Sequence, residues 1–143
     1  AERPLRLRAL DAEDLGVISA LVQDAVFAQA DMSFVRRSSR FALLLNRFRW
    51  ERAATAPERV RAMLVVESVG KVQSRGLPPP GEGVVLSLLA IAWQPLDEVA
   101  GRLTLTLAGD AEIALLVEAL EVVLQDVSRP YAAPSGKTPG HPD

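Results

Sequence analysis

The sequence predicts an α+β fold: a mostly antiparallel sheet or roll of about seven to eight strands, with an N-terminal helix and a short C-terminal helix. Three observations predict it. A capped helical pattern occurs near the start, two-residue alternation of apolar side chains runs through the second half, and helical spacing returns near residue 120.

The first helix is predicted over residues 12–23, after a short strand in which Leu5 and Leu7 alternate with arginines. Asp11 suits the N-cap position, because its carboxylate can accept from a backbone N–H of the first turn. Apolar residues then recur on one helical face, at Leu15, Ile18, Leu21 and Val22.

Strands are predicted at 25–30, 33–37, 40–50, 62–74, 84–93, 102–108 and 112–118. The last two form a hairpin around "GD", with the leucines of "RLTLTLA" facing the core. The Pro/Gly-rich segment 75–83 is predicted to be an exposed loop.

The segment 119–127 can be interpreted as a helix or a strand. Leu120, Val123, Leu124 and Val127 have helical spacing, and this pattern outnumbers the alternating one, so the sequence favours a helix. Seven strands closed by a C-terminal helix is the element order of pleckstrin-homology-like rolls, a likeness of fold alone. We expect one domain over residues 1–128 and a disordered Pro/Gly-rich tail over 129–143.

The composition leaves few residues for catalysis. The chain of 143 residues has no cysteine, and its one histidine, His141, lies in the predicted tail. Serine–histidine, thiol and histidine-metal chemistry therefore have little to use, and we expect no catalytic residues, no metal site and no cofactor. No apolar run approaches the roughly 20 residues of a membrane span, and the start has no signal-peptide pattern, so we expect a cytoplasmic protein with no membrane contact.

The charges are unevenly distributed. Residues 36–61 hold eight arginines and two glutamates, whereas residues 97–126 hold seven acids and one arginine. Residues 11–31 add five acids and no base. The basic segment is the candidate ligand-binding surface, and the acidic segments are candidates to neutralise it within the protein.

The basic segment divides into two groups. A two-residue turn at Ser38 and Ser39 would place Arg37 opposite Arg40. The strand 40–50 would then turn Ala42, Leu44, Phe48 and Trp50 toward the core. The candidate ligand-binding residues are Arg36, Arg37 and Arg40 at the turn tip, and Arg47, Arg49 and Arg52 at the strand end.

Three interpretations of these arginines remain open. They can be solvated or paired with the protein's own acids, they can bind a small anion, or they can bind nucleic acid. The near-equal opposite charges favour the first. Nucleic acid is the least favoured partner, because the chain is acidic overall and has only seven aromatic residues for stacking.

The segments "LRLRALDAEDLGVISALVQDAV", "SRFALLLNRFRWE" and "AGDAEIALLVEALEVVLQDV" resemble a bacterial, mainly alphaproteobacterial, family catalogued as domain of unknown function 2948. The likeness spans about residues 4–128. The family pattern has a cysteine where this chain has Ala119. The resemblance implies a small cytoplasmic bacterial protein and supplies no activity or ligand.

We therefore expect an uncharacterised, soluble, non-enzymatic domain that binds a protein or a small ligand. The alternative function is an anion- or nucleotide-binding module that uses the arginines between 36 and 52. A hydrolase that relies on carboxylates alone is the least favoured class. An unpaired edge strand such as 102–108 could also support a homodimer.

Overall fold

The computed structural model describes residues 3–55, 57–133 and 138–139. Within them lie one α-helix and eleven strands. In chain order these are β1 (Arg6–Ala9), α1 (Ala12–Leu21), β2 (Ala25–Ala28), β3 (Met32–Val35), β4 (Arg40–Phe48), β5 (Glu58–Val66), β6 (Val69–Arg75), β7 (Val85–Pro95), β8 (Gly101–Leu107), β9 (Ala111–Val117), β10 (Val122–Asp126) and β11 (Tyr131–Ala132). Short 3₁₀ turns occupy Gln29–Asp31, Arg36–Ser38 and Trp50–Arg52.

Helix α1 confirms the prediction over 12–23, although it ends at Leu21. The Asp11 carboxylate accepts from the Asp14 N–H at 2.8 Å, as expected of an N-cap. Leu15 and Ile18 are buried, and the helix packs against β7 and β1.

The strands form one antiparallel sheet in the order β1-β10-β5-β4-β2-β7-β8-β9-β6, with β3 beside β4 and β11 beside β5. Strands β5 and β6 are separated by Glu67 and Ser68 alone, yet they lie far apart in this order. Ser68 has a φ of 60°, and the chain changes direction there. The two halves of the sheet enclose one core, which includes Leu43 and Leu64 from one half and Leu105 and Leu115 from the other.

The β8–β9 hairpin is confirmed, with Leu103, Leu105 and Leu107 buried. Leu107 pairs with Ala111, so the turn spans residues 108–110, and Gly109 and Asp110 in it both have positive φ. Strand β8 also pairs with β7, so the prediction that 102–108 is an edge strand is wrong. The ends of the strand order are β1 and β6.

The predicted C-terminal helix at 119–127 is wrong. This segment contains β10, which lies between β1 and β5 and pairs with both. Burial alternates along it, with Val122, Leu124 and Asp126 buried. Because β10 pairs with a strand on each side, every second side chain of β10 is buried in the core. This burial outweighs the local helical spacing. Within the described residues no C-terminal helix closes the sheet, so the likeness to a pleckstrin-homology-like roll loses its basis.

Eleven strands also exceed the predicted seven to eight. The predicted strand 62–74 divides at the Ser68 bend into β5 and β6. Within the predicted tail, Tyr131 and Ala132 form β11 and pair with Arg59 and Glu58 of β5. Of the remaining residues of the predicted tail, 134–137 and 140–143 lie outside the described residues.

Up to Arg47, strand β4 presents to the core the opposite face from the one predicted, whereas Phe48 is buried as predicted. Phe41, Leu43, Leu45 and Arg47 are buried, whereas Ala42 and Leu44 are half-buried on the other face. Both faces of this strand are apolar, and the prediction assumed that arginines face solvent. Arg47 faces the core instead, so the prediction assigned this part of β4 the wrong core-facing side.

The turn before β4 also differs from the prediction. Arg36–Ser38 form a 3₁₀ turn, and Ser39 adopts the left-handed conformation with φ 53°. Val35 pairs with Arg40, so Arg37 lies within the turn and does not face Arg40 across the strands.

Candidate functional site

A second group of apolar residues lies on the face of β4, β5 and β10 that points away from the core. We call this the outer face. Its half-buried apolar members are Ala42, Leu44, Met63, Val65 and Val123. Leu44 pairs with Met63, and Val65 pairs with both Ala42 and Val123, so their side chains are cross-strand neighbours. The outer face is thus a continuous apolar patch across three strands.

Arginines border this patch. Arg6 and Arg8 lie on β1, in register with Gln125 and Val123. Arg8 forms an ion pair with Glu121 at 2.6 Å. Arg6 and Arg61 are exposed, and neither has an ion pair with an acid of the described residues. The border therefore carries positive charge that a partner could neutralise.

A cleft of about 230 Å³ opens beside the patch where β2 and β3 meet β4. Strand β3 pairs with residues 40–43, whereas β2 pairs with β4 at Asn46. Leu44 and Leu45 lie between these two pairings, and the cleft forms at this interruption. Its lining residues are Val26, Phe27, Ala28, Asp31, Leu44, Leu45, Asn46, Arg61 and Val85.

Asn46 is one of the polar residues that line the cleft, with Asp31 and Arg61. Its amide Nδ2 donates to the Tyr131 hydroxyl, and its Oδ1 accepts from Arg59 at 3.2 Å. Asn46 is hydrogen-bonded within a regular strand, and it also lines a pocket.

The turn-tip arginines are exposed. Arg40 donates to Glu67 at 2.5 Å, and this hydrogen bond is the main reason that the pKa of Arg40 is raised and that of Glu67 is lowered. Arg36 and Arg37 have no ion pair with the described acids. The structure therefore places two accessible cations at this tip, beside one that is already paired.

The strand-end group has a different environment. Arg47 is fully buried and makes two hydrogen bonds to Asp126, at 3.0 and 2.9 Å, and two to Glu51, at 2.9 and 2.7 Å. In the strand register Arg47 aligns with Val60 and Asp126 aligns with Ala62, so the guanidinium reaches diagonally across β5. Arg47, Asp126 and Glu51 therefore form a structural ion-pair network.

The network shifts the ionisation of its members. Burial is the largest influence on Arg47 and would lower its pKa, but the hydrogen bonds to Glu51 and Asp126 outweigh it and raise the pKa above its ordinary value. For Glu51, burial would raise the pKa, and the hydrogen bond from Arg47 leads the effects that lower it instead. Both groups are therefore held in their charged forms.

The other two strand-end arginines flank this network. Arg49 is 6 % exposed and donates to Glu58 at 2.7 Å. Arg52 is exposed, in the 3₁₀ turn Trp50–Arg52. Arg49 also lines a cavity of about 90 Å³, here called the strand-end cavity, together with Arg3, Pro4, Asp126, Ser128, Arg129 and Pro130.

The six predicted residues are thus not brought to one place. Arg36, Arg37 and Arg40 lie at one end of β4, and Arg47, Arg49 and Arg52 lie at or beyond its other end. Sequence reasoning missed Arg3 and Arg129. These two arginines come together because β1 pairs antiparallel with β10, which brings the residues before β1 next to those after β10.

The described residues include no group of three or more His, Cys, Asp or Glu side chains placed to hold a metal ion. Their single α-helix is too short to cross a membrane.

Comparison with known proteins identifies one family. A family model described as "Protein of unknown function (DUF2948)" matches residues 5–141. No curated protein and no solved structure matches the chain.

Proposed function

The chain belongs to the DUF2948 family, and we propose that it is a non-enzymatic binding domain that docks a partner protein on the outer face of β4, β5 and β10. The observation that carries this proposal is the half-buried apolar patch of that face, with a cleft at its side. Contiguous exposed apolar surface bordered by polar residues is typical of interaction sites.

The size of the cleft favours a protein partner over a small molecule. Its volume of about 230 Å³ is below the range of roughly 300–1,000 Å³ that is usual for drug-sized ligands. It is large enough for one apolar side chain. A partner would insert an anchoring side chain there and cover the neighbouring patch, the arrangement in which one residue contributes much of the binding energy.

The charge of the border favours an acidic partner. Arg6 and Arg61 lie beside the patch without an acid of the described residues to pair with. Carboxylates on the partner would meet them at the rim, where they would speed association and set orientation more than they would add affinity. The proposed partner is a protein segment that combines apolar and acidic side chains.

Two matched valines test this proposal. Val85 lines the cleft and is 62 % exposed, whereas Val99 lies away from it and is 61 % exposed. Quantitative affinity capture with the wild-type chain, Val85→Glu and Val99→Glu should recover a partner that Val85→Glu loses and Val99→Glu retains. With that partner purified, Val85→Glu should weaken binding by about tenfold or more, equivalent to about 1.4 kcal/mol.

Equal binding by both variants would contradict docking at the cleft. If the partner is a second copy of the chain, the same variants would change the oligomeric state, and sedimentation would detect that change.

We also infer a cytoplasmic location, since a chain without cysteines suits a reducing compartment. Cell fractionation tests this inference.

Binding of a small anion is the second candidate function. The observation that favours it is the strand-end cavity, where Arg49 lies with two arginines from other segments, Arg3 and Arg129. Of the six arginines predicted to form an anion site, Arg49 is the one that lines this cavity.

A further inference from the structure

Three segments that are distant in sequence each contribute an arginine to the strand-end cavity. Arg3 precedes β1, Arg49 follows β4, and Arg129 follows β10. The Asp126 N–H donates to the Leu5 carbonyl at 2.9 Å, which joins the first and last of these segments. We propose that this cavity binds a phosphate group.

The one acid that lines the cavity is already neutralised. Both carboxylate oxygens of Asp126 accept from Arg47, at 3.0 and 2.9 Å. Arg49 donates to Glu58 at 2.7 Å. Arg3 and Arg129 are exposed and have no ion pair with an acid of the described residues.

The charge balance of the region is therefore positive. Among the described residues that line the cavity, three arginines (Arg3, Arg49 and Arg129) accompany one acid, Asp126. An anion that entered the cavity would meet the two exposed guanidiniums at the mouth and the buried Arg49 in the wall. It would not meet an uncompensated carboxylate.

Guanidinium chemistry suits a tetrahedral oxyanion. The planar N–H fork of arginine matches two oxygens of a phosphate, and charge-assisted hydrogen bonds of this kind are roughly twice as strong as neutral ones. Water is partly excluded beside the buried Arg47 and Arg49, which strengthens electrostatic attraction. The Ser128 hydroxyl already accepts from the Arg61 N–H and donates to the Arg129 carbonyl, so it shapes the wall.

The volume limits what can enter. A cavity of about 90 Å³ accommodates one phosphate group but excludes a nucleoside. Inorganic phosphate would enter whole, whereas a nucleotide would place its terminal phosphate inside and leave the base in solvent. This inference rests on the second candidate function and is independent of partner docking on the outer face.

The test is a titration of the full chain with inorganic phosphate, AMP and acetate at constant ionic strength, followed by amide chemical shifts. Phosphate and AMP should shift the amides of Ser128 and Arg129, and acetate should bind at least about tenfold more weakly. Arg3→Gln with Arg129→Gln should weaken phosphate binding by about tenfold or more. Arg36→Gln with Arg37→Gln, which removes the same charge from the exposed turn tip, should leave phosphate binding unchanged.

Three results would overturn the inference. One is the absence of phosphate-specific shifts at saturating phosphate, and the second is acetate binding as tight as phosphate binding. The third is an equal loss of affinity in the turn-tip variant, which would show a response to net charge alone. Equal affinity for phosphate and AMP would support free phosphate as the ligand, and tighter binding of AMP would support a nucleotide. The Val85→Glu and Val99→Glu variants should not change any of these results, so the two proposals can fail separately.

Discussion

The two arginine groups of the basic segment have opposite environments, although at most sixteen residues separate their members. At the turn tip, Arg36, Arg37 and Arg40 are exposed, and Arg40 pairs with Glu67 at the surface. At the strand end, Arg47 is fully buried and is held by acids from two other elements. The same residue type therefore belongs to the solvated surface at the turn tip and, for Arg47 and Arg49, to the interior at the strand end.

The partners explain this difference. Arg40 finds its acid just after the neighbouring strand β5, whereas Arg47 finds Asp126 on β10, which follows it by 79 positions. A buried guanidinium is stable when its hydrogen bonds are satisfied, and Arg47 makes four hydrogen bonds to carboxylate oxygens. The position of the acids in the fold, and not the number of arginines in the segment, decides which arginines can be buried.

The largest expected change in stability follows from removal of the buried Arg47 guanidinium. Arg47→Met should lower the free energy of unfolding by about 3–5 kcal/mol, because Asp126 and Glu51 would lose their common partner and Asp126 would remain buried. Urea unfolding followed by circular dichroism measures this change.

Arg37→Met is the matched control at the turn tip. Arg37 is exposed, so this substitution should change stability by no more than about 0.5 kcal/mol. Similar losses in the two variants would break the distinction between the groups.

A smaller effect on stability is expected at acidic pH. The pKa values of Glu51 and Glu67 are both lowered, so the folded state favours their ionised forms. Each contribution is complete above the ordinary glutamate pKa of 4.5 and is lost as the pH falls through the lowered value. Glu51→Gln and Glu67→Gln should each reduce the loss of stability between about pH 5 and pH 3.

Salt should separate these two contributions. In about 1 M salt the screening length is about 3 Å, so the contribution of the exposed Arg40–Glu67 pair should largely disappear, while that of Glu51 beside the buried Arg47 should persist. Urea midpoints across this pH range, at low and high salt, provide the measurement. Equal sensitivity to salt would mean that the Arg47–Glu51 pair is as solvated as the Arg40–Glu67 pair.

Much of the fold could be predicted where a local pattern and the final environment agree. Helix α1 has both its Asp11 cap and its apolar face, and the β8–β9 hairpin has both alternation and a Gly109–Asp110 turn. The segment 119–127 could not be predicted in this way. Its strand state comes from pairing with β1 and β5, whose positions in the sheet the local sequence does not specify.

The candidate sites were harder to predict than the fold. The outer-face cleft exists because β2 and β3 leave β4 unpaired on one side at Leu44 and Leu45, a feature of strand register. The burial of Arg47 depends on Asp126, and the strand-end cavity depends on the β1–β10 pairing. The last two of these contacts join distant segments, and a single sequence contains no local signal for them.

Two double-mutant cycles test the central distinction most directly. One combines Arg47→Met with Asp126→Asn, and the other combines Arg40→Met with Glu67→Gln, with stability measured by urea unfolding. We predict a coupling of about 2–3 kcal/mol for the buried pair and a coupling several-fold smaller for the exposed pair. Equal couplings would contradict the account, since burial would then have no influence on what these arginines contribute.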